Sequence, residues 1–335
     1  MPTGPTASQS GGTLSVDGYS AKFTEYPLPN GATKPQDMTV GPDGDVWFPV
    51  ADGVDRVSVN GTITGFSAPG PLYYSAGITS QNGKMWFGDG VPVNGITNIA
   101  SLTVSGVFAA IAFGNPVNTD EPTSFTSSGG VVYFGFNGNF YQGLGYVPYG
   151  STTTALLGLS TTTGYTIGDL TMASNHEIYA AGPWSGFLTS DFLFRCPTDG
   201  STCTVYALDS PPAALTGVHG IAMGADGNLW LTAPTANAIL KISLSGTILA
   251  SYALPTANSE PWEIISAPDG SLWFTESGAN KLGRMTTSGA LTEYAIPTPN
   301  ADPYGITTCP TQCSDAHGRI WFTEYAANKV GKLQY

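Results

Sequence analysis

The chain has 335 residues, of which only 10% are charged, and a formal net charge of −13. That charge argues against a nucleic-acid backbone or an anionic membrane surface as partner, since both would repel it. No apolar run approaches the roughly 18 residues of a membrane span, while a hydrophobic share of 41% is enough for a large core.

Residues 1–18 open with MPTGPTASQSGGT, which holds no large apolar side chain after Met1, and are expected to form a flexible tether. No signal peptide is expected within the residues that open this sequence. A Met followed at once by Pro, Thr, Ser and Gly reads as a start placed after a removed signal or lipoprotein segment, so the expected location is extracytoplasmic: secreted, periplasmic or surface-tethered.

From there one unit recurs. It covers Pro35 to Pro69, Val218 to Pro255, Pro261 to Pro297 and Pro303 to Tyr335, with three degenerate copies in between. The anchoring aromatics are Trp47, Trp86, Tyr133, Tyr179, Trp230, Trp273 and Trp321, spaced 39 to 51 residues apart. That period suits a four-stranded propeller blade, and seven anchors predict an all-β, seven-bladed β-propeller over residues 19–335. Within a unit, Asp-Gly turns such as Asp43-Gly44, Asp226-Gly227 and Asp269-Gly270 supply the positive φ of a tight hairpin between the first and second strands. Asn-bearing turns at Asn280 and Asn328 lead into the third strand.

The last unit stops before its outermost strand. The missing piece stands at the other end: Phe23-Thr24-Glu25-Tyr26-Pro27-Leu28-Pro29 matches Leu291-Thr292-Glu293-Tyr294-Ala295-Ile296-Pro297. Residues 19–29 are therefore expected to complete the seventh blade, leaving only short blade edges.

The four cysteines form two close pairs, Cys196 with Cys203 and Cys309 with Cys313, read as two local disulfides in an oxidising compartment. Cys309, Cys313 and His317 are also three zinc-ligand types in a short span, with no evident fourth ligand.

In a blade, the loop entering the innermost strand and the loop between the second and third strands share one face. The column before the innermost strand reads Gln36-Asp37, Ala76-Gly77, Thr123-Ser124, Gly168-Asp169, His219-Gly220, Trp262-Glu263 and Tyr304-Gly305. The position before the proline adds Glu121, Glu260 and Asp302; the third residue after the anchor adds Asp89, Glu276 and Glu324. This predicts an acidic, aromatic channel mouth around Glu260, Trp262, Glu263, Glu276, Asp302, Tyr304 and Glu324, with Gln36, Asp37 and His219 on the same face. Such a cluster has the chemistry to hold a divalent cation, or to keep one carboxyl protonated as a general acid or base. The alternative is that the repeat places Glu276 and Glu324 there to satisfy backbone donors.

The repeat resembles that of the streptogramin B lyase (virginiamycin B lyase) family. The resemblance rests on Gly41-Pro42-Asp43-Gly44 with Val46-Trp47-Phe48, on Trp273-Phe274-Thr275-Glu276, on Asn280-Lys281-Leu282-Gly283-Arg284 and on Thr292-Glu293-Tyr294. It is strong over residues 205–335, clear over 19–69 and thin over 70–204. It implies a seven-bladed propeller and, in the lyases, Mg²⁺-assisted opening of a cyclic depsipeptide ester by elimination. Family catalysis uses histidines in Pro-His-Ala/Gly-Ile words of the last two full repeats. Here those words read Pro261-Trp262-Glu263-Ile264 and Pro303-Tyr304-Gly305-Ile306, so both histidines are replaced. Asp302 survives as an acidic residue before the last word, Glu324 follows the final Trp-Phe, and His219 has the right word one blade early; these three are the candidates for catalysis. The expected role is a binding or scaffold propeller for a small-molecule, peptide or glycan ligand. A divergent metal-assisted lyase or hydrolase and a self-assembling surface protein are the alternatives.

Overall fold

Each short apolar segment is bounded by a turn that needs positive φ: Gly44 (φ 81°), Gly227 (78°) and Gly270 (79°) close the first hairpins of three units, and Asn237 (51°), Asn280 (57°) and Asn328 (51°) lead into third strands. In the computed structural model, which describes residues 13–16, 19–29, 33–68, 77–93, 96–113, 121–137, 142–157, 166–183, 191–208, 217–308 and 319–335, these segments form seven antiparallel sheets, and no helix appears among the described residues.

The first blade comprises Thr39–Val40, Val46–Val50, Gly53–Val57 and Ile63–Ser67. The second begins at Ile78–Gln81, the third at Glu121–Ser128 and the fourth at Asp169–Met172. Innermost strands Ile221–Met223, Pro261–Ser266 and Pro303–Thr308 open the remaining three. Each innermost strand touches that of the next blade, and Pro303–Thr308 returns to Thr39–Val40, so the ring closes. The chain is a seven-bladed β-propeller.

The N-terminal strand Tyr19–Pro27 pairs antiparallel with Lys329–Gln334, from Lys22 opposite Gln334 to Pro27 opposite Lys329. It reproduces the sixth blade in detail. Tyr26 stacks on Trp321 at 5.8 Å as Tyr294 stacks on Trp273 at 5.3 Å. Glu25 accepts from the Thr298 amide (3.0 Å) and hydroxyl (2.8 Å) and pairs with Lys329, while Glu293 does the same with Thr256 and Lys281. The expected tether over residues 1–18 does not hold at Thr13–Val16. Those four residues pair with Tyr19–Lys22 as a fifth strand, because the outer edge of Tyr19–Pro27 offers unpaired main-chain donors and acceptors.

Between blades lies the core. Trp47, Trp230, Trp273 and Trp321 are wholly buried, and each carries a cation over its ring: Arg56, Lys241, Arg284 and Lys332. The aspartates of the Asp-Gly turns complete this unit. Asp43 accepts from Trp47 Nε1 (2.9 Å) and pairs with Arg56 (2.8 Å); Asp226 accepts from Trp230 Nε1 (3.1 Å) and pairs with Lys241 (2.8 Å).

Cys196, in the third strand of the fourth blade, is disulfide-bonded to Cys203 across the turn holding Gly200 (φ 82°). Cys309, Cys313 and His317 lie outside the described residues. Peptide mapping is expected to recover the Cys196–Cys203 link. Replacing both cysteines by serine should cost only about 2–3 kcal/mol, as befits a short loop. Free thiols at both positions in the native, unreduced protein would remove the bridge.

Candidate functional site

Seven innermost strands converge on the axis with too few neighbours to pair their main chains, and side chains join them. Thr232 accepts from the Gly220 amide (2.8 Å) and donates to the Trp262 carbonyl (2.6 Å), linking the fifth blade to the sixth. Thr275 likewise accepts from the Glu263 amide and donates to the Tyr304 carbonyl. Thr323 accepts from the Gly305 amide and donates to the Gln36 carbonyl, sealing the seventh blade to the first. In the degenerate half other groups take over. Asn137 exchanges two bonds with the Ile167 backbone, and Ser127 donates to the Ser80 carbonyl. Asp37 accepts from the amides of Met38 (2.7 Å) and, one blade on, Ile78 (3.3 Å). Asp169 accepts from Leu170 (2.7 Å) and from Ile221 (3.2 Å).

Above these joints an axial cavity of about 460 Å³ is walled by residues of the predicted column, among them Asp37, Gly77, Ser124, Asp169, His219, Trp262, Glu263 and Tyr304. A second cavity of about 350 Å³ continues down the axis, and Asp37, Asp169 and Glu263 line both. These three carboxyls therefore form the waist of the channel. One wall is an aromatic ladder: His219 stacks on Trp262 at 3.7 Å, Trp262 tilts toward Tyr304 at 5.8 Å, and Tyr304 toward Tyr325 at 5.9 Å.

Burial pushes the waist carboxyls up from the ordinary range. For Asp37 the Asp169 charge adds to that, and for Glu263 both Asp169 and Asp37 do. Burial lowers His219 to about 4, so its imidazole is neutral at pH 7. His219 Nδ1 lies 3.7 Å from Glu263 Oε1, beyond hydrogen-bonding reach, and has no partner; nor has the hydroxyl of Ser124, a residue only 4% exposed.

The predicted mouth is thus divided. Asp37, His219, Trp262, Glu263 and Tyr304 meet in the cavity. Gln36 contributes its carbonyl to the Thr323 joint. Glu260 is exposed and Asp302 half-buried, and neither lines the cavity. Both hold left-handed backbone (φ 49° and 52°) just before a proline, with carbonyls engaged by the amides of Ser277 and Tyr325.

Glu276 and Glu324 depart furthest from expectation. They are fully buried inside the blades, and none of their four carboxylate oxygens has a hydrogen-bond partner. The reason is strand geometry: side chains of a second strand point alternately to the two faces of the blade, not along the axis. Thr275 and Thr323 point to the next blade, so Glu276 and Glu324 face the other way. Equivalent positions elsewhere hold Val50, Phe136 and Ala233. Burial raises Glu276 to about 7 and Glu324 to about 8.

Sequence reasoning passed over Ser124, Asn137 and Asp169 as site residues, although Ser124 and Asp169 stand in the column it identified. Among the described residues no three Asp, Glu, His or Cys side chains come close enough together to hold a metal ion. The described residues therefore offer no preformed all-protein cage for the Mg²⁺ implied by the family resemblance.

Fold and site together define a seven-bladed propeller with an axial cavity walled by aromatic rings and carboxyls. Residues 182–335 match the virginiamycin B lyase family. Over its length the chain is similar to virginiamycin B lyase from Staphylococcus aureus, with 26% identity, a TM-score of 0.75 and coverage of 94% of this chain and 99% of that one. The same values hold for a catalytically inactive histidine-to-alanine variant of that enzyme solved with quinupristin. A gluconolactonase from Xanthomonas campestris, 15% identical with a TM-score of 0.59 over 100% of this chain and 98% of that one, shares the fold. No curated protein sequence matches the chain.

Proposed function

We propose that this chain is an extracytoplasmic binding propeller, with the axial cavity as its ligand site, and that it does not open streptogramin B rings. One observation carries the reading: where the family's words hold histidines, this chain has Trp262 and Tyr304, and both are cavity wall. A positioned general base is worth roughly 10²–10⁴ in rate, and neither ring can serve as one at neutral pH, since indole is not basic and burial raises the Tyr304 hydroxyl. The Cys196–Cys203 disulfide supports an oxidising location.

A second reading has its own observation. His219 is neutral and sits beside Glu263, as a base with a carboxyl to orient it would. Its ring lies flat on Trp262 and its Nδ1 is buried, which fits a wall better than a proton acceptor. Incubation with a streptogramin B and Mg²⁺, followed by mass spectrometry, is expected to show no ring opening. Robust turnover abolished by His219→Ala would transfer the function to this second reading.

A further inference from the structure

We propose that the axial cavity takes a small primary ammonium ion with an aromatic or apolar body, its head on the waist carboxyls Asp37, Asp169 and Glu263 and its body against Trp262 and Tyr304. This rests on the reading of the cavity as a ligand site and names the chemistry it would recognise.

The charge of the wall comes first. Three carboxyls from the first, fourth and sixth blades line the waist, and among the described residues no Lys or Arg lines the cavity. An anion would meet only negative or neutral groups. A metal ion needs several ligands at short range, and the described acidic groups do not converge so closely. An ammonium head has three donors and tolerates longer, spread contacts. The oxygens of Asp37 and Asp169 each accept one amide, which leaves lone pairs free. The aromatic wall attracts a cation and packs an apolar body equally well, and about 460 Å³ suits a small molecule.

Three probes with one body and different heads isolate the claim: phenethylamine, 2-phenylethanol and phenylacetate, titrated calorimetrically and by quenching of tryptophan fluorescence. Phenethylamine is expected to bind at least tenfold tighter than 2-phenylethanol, and phenylacetate not to bind. The groups facing the head are Asp37, Asp169, Glu263, His219 and Tyr304. Because the cation favours ionised carboxyls, its binding should tighten from pH 6 to pH 8 and release protons to the buffer. Glu263→Gln, whose side chain staples no neighbouring strand, should weaken phenethylamine at least tenfold and leave 2-phenylethanol unchanged; Trp262→Ala should weaken both. Equal or tighter binding of 2-phenylethanol would overturn the ammonium assignment while keeping a binding site. Failure of all three probes would also overturn it, whereas only ring opening in the streptogramin assay removes the binding-propeller reading.

Discussion

Removal of residues 19–29 is expected to unfold the propeller, with aggregation at concentrations where the full chain is monodisperse. The segment supplies a whole strand of the seventh blade, six residue pairs deep. Phe23, only 2% exposed, packs edge-on against Phe322, and Tyr26 covers Trp321. Deleting one such aromatic costs about 3–5 kcal/mol, against a total stability of about 5–15 kcal/mol for a typical domain. The deletion also leaves Trp321 uncovered and exposes the full edge of Lys329–Gln334 to other chains. Circular dichroism and size-exclusion chromatography of the deletion variant test this. A synthetic peptide of residues 19–29 should restore part of the lost stability in trans. An unchanged melting curve would mean that the sixth-blade likeness of Tyr26 and Glu25 is decorative. Tyr26→Ala and Tyr294→Ala should be similarly destabilising, since their stacking partners and geometry correspond.

The closure was legible because Thr24-Glu25-Tyr26 repeats Thr292-Glu293-Tyr294 and each residue has one job in the blade: the Glu clamps a threonine, and the Tyr covers a tryptophan. The axial wall was legible for a similar reason. Entry into the innermost strand is the point where every blade comes nearest the axis, so the column from Asp37 to Tyr304 could be written down without coordinates. What did not follow was direction within the column. Asp37 and Asp169 look like free acids in sequence, yet both brace the next blade's innermost strand. Asn137 performs in the third blade what Thr232, Thr275 and Thr323 do in the regular ones, and a degenerate repeat hides that equivalence. For Glu276 and Glu324 the spacing from the tryptophan was sound; the failure lay in treating the end of a strand as loop. One residue of parity turns a mouth carboxylate into a buried one.

A second large effect is expected with pH: stability should fall as pH rises from about 4.5 to about 8. Glu276 and Glu324 occupy slots that hold Val50 and Ala233 in other blades, wholly buried and without hydrogen-bond partners. Burial is the first cause of both shifts; neighbouring Glu293 and Glu25 add to them, while Lys281, Lys329 and the nearby side chains of Ser259 and Thr298 oppose them, although those two hydroxyls donate to the Thr256 carbonyl and to Glu25. The unfolded chain releases these protons near pH 4.5, the folded protein only near about 7 and about 8. Between those values the folded state holds more protons, so the stabilisation is complete below about pH 4.5 and is lost as pH climbs through the folded values. At about 1.4 kcal/mol per pH unit, the pair accounts for several kcal/mol. Asp55, raised to about 7, acts in the same sense. His219 acts in the opposite one: its folded value of about 4 favours folding above the ordinary histidine range and withdraws that support as pH falls through 4. The carboxyl losses outweigh the histidine gain from about pH 4.5 upward, so these groups together place the stability maximum near pH 4.5. Thermal melts of the wild type and of Glu276→Gln with Glu324→Gln, taken from pH 5 to pH 9, isolate the two carboxyls. The double variant should melt close to the wild type at pH 5 and clearly above it at pH 9, because its amides cannot ionise. Parallel curves for the two proteins across that range would show that the carboxylates find solvent or partners when they ionise, and that the slots are not as dry as their packing indicates.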